Sequence, residues 1–451
     1  MPAPNGRFGT SGGVCPQTVL WVFGSLSSAR TFVTPPRLRQ AAWTLEATTV
    51  FRKCKRKRTN NFYLYRNFMH MKPNKLFYFT LLVILLSCCE RRITEIPVLD
   101  VTKSYPSKNI ILQDIADVEY IALETKDGFL ISYPPIQYVD EEIFVTNNRE
   151  EIMIFDSKTG NSLNSFNRYG RGPGEYTGIH SIALDREKNE LFTTTNSLSS
   201  NVQPVNVYDL QGKHLRTMGF RNLGFPQFFH SYNDEYLFCY NSNIEETAPY
   251  KLISKTDTTF TFLPVTFVGR DKMSVSQTEN SGAITSYSRN GGAILKTSDG
   301  YIFSETGLDT IYHWNKRNEV LTPVMIRIPS FKSMKIPVGV FISGQSSEYI
   351  FLNTIERKFD FETREGFKTV KLMYDKKSGQ FYKSAIMNSD FVDNKEVDIS
   401  NPISAGKFVV TLQAFELLEL YKNGKLKGKL EEIVSKLADD DNPVLMIVTF
   451  R

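Results

Sequence analysis

One pattern recurs along most of this chain: an apolar and aromatic strand, often closed by Asp, then a polar turn, then a second strand. Residues 151–166 (EIMIFDSKTGNSLNSF) show it first, and 204–217 (PVNVYDLQGKHLRT) repeat it. Segments 250–263, 309–324 and 370–384 follow the same plan, the first of these more weakly. With Phe155, Tyr208, Ser254, Trp314 and Tyr374 as equivalent points, the steps are 53, 46, 60 and 60 residues. Repeats of about 40–50 residues that each hold several strands are the pattern of propeller blades.

The first four hairpins each have a partner strand before them, at 142–147, 190–195, 235–240 and 300–305, and 178–185 lies earlier still. That predicts four strands per repeat, with the longer steps leaving room for loops such as 269–290. Five repeats fill residues 133–385, and the chain ends supply a sixth. There, 407–412 and 444–450 read as strands, and Lys425–Leu437 reads as a helix with Leu426, Leu430, Ile433, Val434 and Leu437 on one face. The strand expected over Val118–Glu124 is placed beside the C-terminal strands, which leaves no open sheet edge. The expected fold is therefore all-β: a six-bladed β-propeller of four-stranded blades, closed by its N-terminal strand, with one short C-terminal helix.

The net charge of +6 is unevenly spread. Residues 1–70 hold eleven Lys and Arg against one acid, Glu46, so this block alone is +10 and residues 71–451 are left at −4. The body of the chain is mildly acidic, which argues against a nucleic-acid partner. The basic run FRKCKRKR at 51–58 stands ahead of a second feature, MKPNKLFYFTLLVILLSCC at 71–89. Lys72 and Lys75, then an apolar stretch from Leu76 to Leu86, then Ser87-Cys88, is the layout of a secretory signal peptide. The apolar stretch is too short to span a bilayer, which takes about 20 residues. The tetrad Leu85-Leu86-Ser87-Cys88 resembles a bacterial lipobox, which implies lipidation at Cys88, with Cys89 as the weaker choice. Met71 is the expected start, and 1–70 an upstream extension without functional weight; an Arg-rich, acid-poor transit leader is the alternative reading. The expected organisation is a signal peptide at 71–87, a tether at 88–107 and the propeller at 108–451. After Cys88 only Cys89 and Cys239 remain, so packing rather than a disulfide framework must stabilise the core.

The lipobox, VEYIALET at 118–125, RYGRGPGEYTGI at 168–179, TGLDTIYHW at 306–314 and DDDNPVLMIVTF at 439–450 together carry a family resemblance. The chain resembles the six-bladed β-propeller lipoproteins of Bacteroidota, an NHL/TolB-like group, from about residue 100 to 451. The resemblance implies a lipid-anchored protein of the cell envelope, placed at the outer membrane, with periplasmic and surface faces both open. It implies no particular ligand, since a fold does not fix a function.

The stretch RYGRGPGEY at 168–176 cannot lie in a regular helix or strand. Gly170, Gly172 and Gly174 permit positive φ, and Pro173 removes a backbone donor. A phosphate-binding loop is excluded, because no Gly-Lys-Ser/Thr is present and a strand follows instead of a helix. The stretch is expected to link the outermost strand of one blade to the innermost strand of the next, near the channel mouth. Arg168, Tyr169, Arg171, Glu175, Tyr176 and His180 are then ligand-face candidates, with Arg suited to carboxylates or sugar hydroxyls. The competing reading pairs Arg171 with Glu175 and leaves the glycines to shape a corner.

His180, His214, His230 and His313 show no metal-binding spacing. Asp156, Asp185, Asp209, Asp309 and Asp375 sit at strand ends, where Asp caps turns. Calcium is the one cofactor with any candidate ligands, Asn147, Asn196 and Glu305, by analogy with lactonase-like propellers. The aromatic segment Phe220–Tyr232 reads as core, with a sugar-stacking platform as the alternative. No Ser-His-Asp constellation and no Gly-x-Ser-x-Gly is visible. These features favour a non-catalytic module that binds a glycan, peptide or protein. A lactonase, lyase or glycan-processing propeller with a channel site, and a structural subunit of an envelope complex, are the alternatives.

Overall fold

Short polar side chains at strand ends set the turns. Asp156 Oδ1 accepts the N–H groups of Lys158 and Thr159 at 3.0 and 2.8 Å. Asp209 Oδ1 does the same for Gln211 and Lys213, and Asp375 Oδ1 for Lys377 and Ser378. Asn315 plays this part in its own repeat, accepting from Arg317 at 2.9 Å. Each such side chain satisfies backbone donors that a tight turn leaves unpaired, and so returns the chain antiparallel to itself. Asp185 accepts the Lys188 N–H of its own turn at 3.4 Å and also bonds across elements to Lys255, whereas Asp309, expected to cap likewise, accepts from Phe331 N–H.

The computed structural model describes residues 95–451, except 127–128, 132–135, 140–141, 148–149, 196–200, 225, 290–293, 400–401 and 405. The side chains of 136–139, 142–147, 227 and 403–404 also lie outside the description. The upstream extension, signal peptide and Cys88 expected from the sequence fall outside the described residues.

The turns generate antiparallel meanders. The first sheet runs Ile136–Val139, Glu142–Asn147, Glu151–Asp156, Ser162–Asn167. The second is Ile179–Asp185, Glu190–Thr195, Val202–Asp209, His214–Arg221, and the third Pro226–Ser231, Tyr236–Asn241, Tyr250–Ser254, Phe260–Phe262. The fourth comprises Ile294–Thr297, Gly300–Phe303, Thr310–Asn315 and Val320–Ile328, and the fifth Val338–Gln345, Tyr349–Glu356, Thr369–Asp375 and Gln380–Lys383. In the last, Pro402–Ser404, Lys407–Leu412 and Val444–Phe450 are joined by Ala116–Ala122 from the start of the domain, with Ala116 opposite Phe450 and Ala122 opposite Val444. First strands of neighbouring sheets touch: first with second, second with third, fourth with fifth and sixth, sixth with first. Separate meanders gathered by their first strands make a β-propeller.

In such meanders the links alternate between two edges. On one edge they are short turns, such as 186–189, 298–299, 316–319 and 376–379. On the other they include 168–178, 263–293, 357–368, 384–401 and 413–443. All long links therefore leave from the same edge.

Two of these links, and the segment before the first sheet, differ from expectation. The stretch 269–290 contains a hairpin, Ser274–Thr278 with Ile284–Ser288, whose Tyr287 stacks on Phe359 of the 357–368 link at 4.1 Å. The 413–443 link holds two helices, α1 (Ala414–Lys422) and α2 (Gly428–Val434). Helix α2 is shorter than the periodicity suggested. Gly424 and Gly428 take φ of +64° and +58°, which breaks the helix on its N-terminal side, and Leu426 is instead bridged to Phe391. Third, the expected tether docks early. Val98–Asp100 pairs parallel with Ile326–Ile328, and Ser107 bridges Lys383. The chain from Val98 onward is thus a strap along the fourth and fifth sheets.

Between sheets most contacts are made by side chains, beside a few backbone bonds such as Glu124 N–H to the Gly160 carbonyl at 2.9 Å. The second and third meet around Val205, Val207, Phe220, Phe229 and Ile253, all buried. Inside this interface Lys255 Nζ lies 2.8 Å from Asp185 Oδ2, with side chains 1% and 4% exposed. Arg216 closes the arrangement, bidentate to Glu190 and bonded to the Lys255 carbonyl. Asp185→Ala is expected to cost about 3–5 kcal/mol, because it leaves a buried ammonium without its counter-charge. The double variant Asp185→Leu with Lys255→Met should recover most of this in urea unfolding; a single variant within 1 kcal/mol of wild type would show that the pair does not bear on stability.

Candidate functional site

The corner 168–176 is a self-bonded loop. Gly170 N–H donates to the Tyr176 carbonyl and Tyr176 N–H to the Arg168 carbonyl, each at 3.0 Å. The Glu175 carboxylate turns back onto Gly172 N–H at 2.6 Å. Glycine at 170 is required by that approach, since a Cβ there would sit 2.0 Å from Glu175 Oε2. Gly174 takes φ of +74° and is covered by the His214 ring, 2.5 Å from where a Cβ would stand.

The second sheet then holds the loop in place. Tyr208 O–H donates to the Gly174 carbonyl at 2.9 Å, and Asn206 Nδ2 to the Glu175 carbonyl at 3.0 Å. Arg168 Nε reaches the Gly212 carbonyl at 2.9 Å. Thr217 O–H donates to Asn206 Oδ1 at 2.7 Å, so the His214 Nε2 that lies 2.9 Å from the same hydroxyl must be the N–H.

Between the loop and this sheet lies a cleft of about 640 Å³. Arg171, Pro173 and Glu175 line it from the loop, and Asn206, His214 and Thr217 from the sheet. Arg171 is exposed and makes no ion pair or hydrogen bond with the described residues, whereas the polar groups around it are bonded to one another. Arg171 and Glu175 are not paired, contrary to one of the two sequence readings.

Of the expected ligand-face residues, Arg171 and Glu175 line the cleft together with Gly170, Gly172, Pro173 and Gly174. Arg168 is turned away to Gly212, and Tyr169 is exposed beside the cleft without lining it. Tyr176 is a core residue, 1% exposed; its hydroxyl accepts from Arg168 N–H and donates to the Glu150 carbonyl, and burial pushes its pKa up to about 12. His180 lies in the strand Ile179–Asp185 and does not line the cleft. The corner was expected near the channel mouth. It lies instead over the third and fourth strands of the second sheet, because Asn206 and Tyr208 bind its carbonyls there. Asn206, His214 and Thr217 carried no motif; the signal in the sequence was only that His214 opens the strand after the Tyr208 turn.

Glu305 is not available to calcium. Its carboxylate is 3.0 Å from Arg270 Nε and accepts the hydroxyls of Tyr240 and Tyr250. Arg270 in turn spends its remaining donors on the carbonyls of Asn243, Glu246 and Asn241 and on Tyr240 Oη. The Asn147 side chain and Asn196 lie outside the described residues. Among the described residues no three His, Cys, Asp or Glu gather as a metal site. The aromatic segment supplies core, with Phe220, Leu223 and Phe229 buried. His230 is enclosed by Phe228, Phe238 and Tyr301, and desolvation holds its pKa well below the ordinary value.

Residues 96–449 match the family described as "Domain of unknown function (DUF4934)", and the chain belongs to that family, which carries no NHL or TolB assignment. An exported protein (BF0058) from Bacteroides fragilis NCTC 9343 is similar in structure, with TM-score 0.51 and 15% identity, covering 79% of this chain and 99% of its own. The RRP9 WD40 repeats match with TM-score 0.31 at 10% identity, over 77% of this chain and 99% of theirs. A Cps50 (Swd1) β-propeller domain from Myceliophteria thermophila matches with TM-score 0.28 at 13% identity, over 52% and 69%. No curated protein matches the chain.

Removing Glu305 strands the Arg270 charge in the interior. Glu305→Ala is expected to lower stability by about 3–5 kcal/mol in denaturant titration. Wild-type melting midpoints should be equal in calcium and in chelator; a calcium-dependent rise lost in Glu305→Gln would restore the metal role.

Proposed function

We propose that this DUF4934 protein is a lipid-anchored binding protein of the cell envelope, a six-bladed propeller closed by its Ala116–Ala122 strand, whose corner cleft holds a glycan or peptide ligand. One observation carries the reading: Arg171 lines the cleft without a partner among the described residues, while Glu175, Asn206 and Thr217 beside it are bonded within the protein. An unpaired guanidinium on a loop held by Tyr208, Asn206 and Arg168 is pre-organised, so little order has to be imposed when a carboxylate or hydroxyl-bearing ligand arrives. The glycine backbones and Pro173 add a surface without bulky side chains, which suits a flat sugar or an extended peptide.

Export and anchoring rest on the signal layout at 71–88, and the description of the structurally similar Bacteroides fragilis protein as a "Putative exported protein" supports the same compartment. The long links that all leave one edge support a recognition face there, since loops on a rigid scaffold carry most binding residues.

A ligand that binds only the native state raises the melting midpoint with occupancy. Across a panel of acidic and neutral glycans and peptides, at least one is expected to raise the wild-type midpoint and leave a folded Arg171→Ala protein unmoved. If nothing shifts the wild type, or the shift survives Arg171→Ala, the cleft is not the site. For anchoring, labelled palmitate is expected to enter the full chain expressed in a bacterial host and to be lost in Cys88→Ala; equal labelling of the two would rule out Cys88.

A further inference from the structure

Two opposite charges line the corner cleft and are not paired with each other. Arg171 and Glu175 are the only Lys, Arg, Asp or Glu of its lining among the described residues. Residues 196–200, between Thr195 and Val202 of the same lining, read NSLSS and bring no charge. Glu150 and Glu151 act on the Tyr176 phenol and do not line the cleft.

Neighbours on one short loop can neutralise each other, and here the backbone prevents it. The Glu175 carboxylate is seated on Gly172 N–H at 2.6 Å and lies close against Gly170, where a Cβ would stand 2.0 Å from Oε2 and 3.2 Å from Oε1. A neutral N–H occupies one acceptor site and leaves the negative charge uncompensated. Arg171 makes no hydrogen bond or ion pair with the described residues, so its positive charge is uncompensated too. The facing wall is bonded within itself, Thr217 to Asn206 and His214 to Thr217.

These two charges discriminate between ligand classes. A ligand with only a carboxylate gains Arg171 and meets the like charge of Glu175 in the same cleft. A ligand with only an ammonium meets the reverse. A neutral sugar leaves both charges without a partner. A ligand with both charges pairs with each residue and is repelled by neither. Pro173, Val202 and Pro204 add apolar wall for the atoms between those charges. We propose that the cleft takes a short zwitterionic peptide, its C-terminal carboxylate on Arg171 and its N-terminal ammonium on Glu175. This rests on the cleft being the binding site and narrows its ligand to a peptide with both ends free.

The test is calorimetric titration of the full chain with trialanine in four forms: free, N-acetylated, C-amidated and blocked at both ends. Galacturonic acid serves as the anionic sugar. Free trialanine is expected to bind saturably, about fivefold more tightly than either singly blocked form, and the ratio should shrink as salt is raised. Glu175→Gln keeps an oxygen for Gly172 N–H and should erase the preference over the acetylated form. Arg171→Ala should erase the preference over the amidated form. The blocked series on the wild-type chain is decisive even where a variant does not fold. Acetylated trialanine or galacturonic acid binding as tightly as free trialanine overturns the inference, and loss of that binding in Arg171→Ala would leave the cleft as an anion site. Trialanine binding equal in wild type and both folded variants also overturns it. If no form of trialanine binds while a glycan shifts the melting midpoint through Arg171, the peptide assignment fails and the cleft stands; if nothing binds, both fail.

Discussion

No hydrogen-bonded ladder joins one four-stranded sheet to the next among the described residues. Cohesion between sheets is therefore mainly a matter of side chains, beside a few backbone bonds such as Glu124 N–H to the Gly160 carbonyl, and two kinds of side-chain contact supply it. Aromatic rings stack across the third and fourth sheets, Tyr250 on Phe303 at 4.0 Å and Phe238 on Tyr301 at 4.6 Å. Buried charges meet as well, Asp185 with Lys255 between the second and third sheets, and Arg270 with Glu305 in the links around the third and fourth. Rings add apolar area and preferred offsets. The charges add little net stability over an apolar pair, and their effect is to penalise any register in which a partner is missing.

That division explains where function can reside. The short turns on one edge are fixed by Asp and Asn bonding their own backbone, so they have little freedom to vary. The other edge carries the long links, and each is anchored by contacts to a neighbouring element. The corner rests on Tyr208 and Asn206, and the 263–293 hairpin on Phe359 through Tyr287. A loop held in this way can present one unpaired group, as with Arg171, at low entropic cost.

Strands were legible in the sequence because their signal is local. Glu142–Asn147 and Glu190–Thr195 have the bounds that alternation and turn residues implied. Helix α1 was missed because its apolar residues, Leu417 and Leu418 with Ala414, follow directly on a strand and share its hydrophobicity. The strap was read as tether because a three-residue parallel strand has no periodicity to detect. Its place depends on the exposed edge of Val320–Ile328, which lies more than 200 residues later in the chain.

The site was legible only in part, and the boundary has a physical cause. Three glycines and a proline in nine residues announce a shaped loop, and the loop is where the cleft is. What the glycines serve could not be read, because each answers to a group distant in sequence or folded back in space. Gly170 makes room for the Glu175 carboxylate, and Gly174 for the ring of His214. The same holds for Tyr176 and Glu305, which polar chemistry nominates as ligands and burial removes. A tyrosine at 1% exposure with both hydroxyl bonds made, or a carboxylate facing an arginine and two tyrosines, has spent its polarity on the fold. Polar residues become candidates for recognition when the fold leaves their bonding incomplete, and by that measure Arg171 stands apart from the residues that sequence chemistry alone would rank beside it.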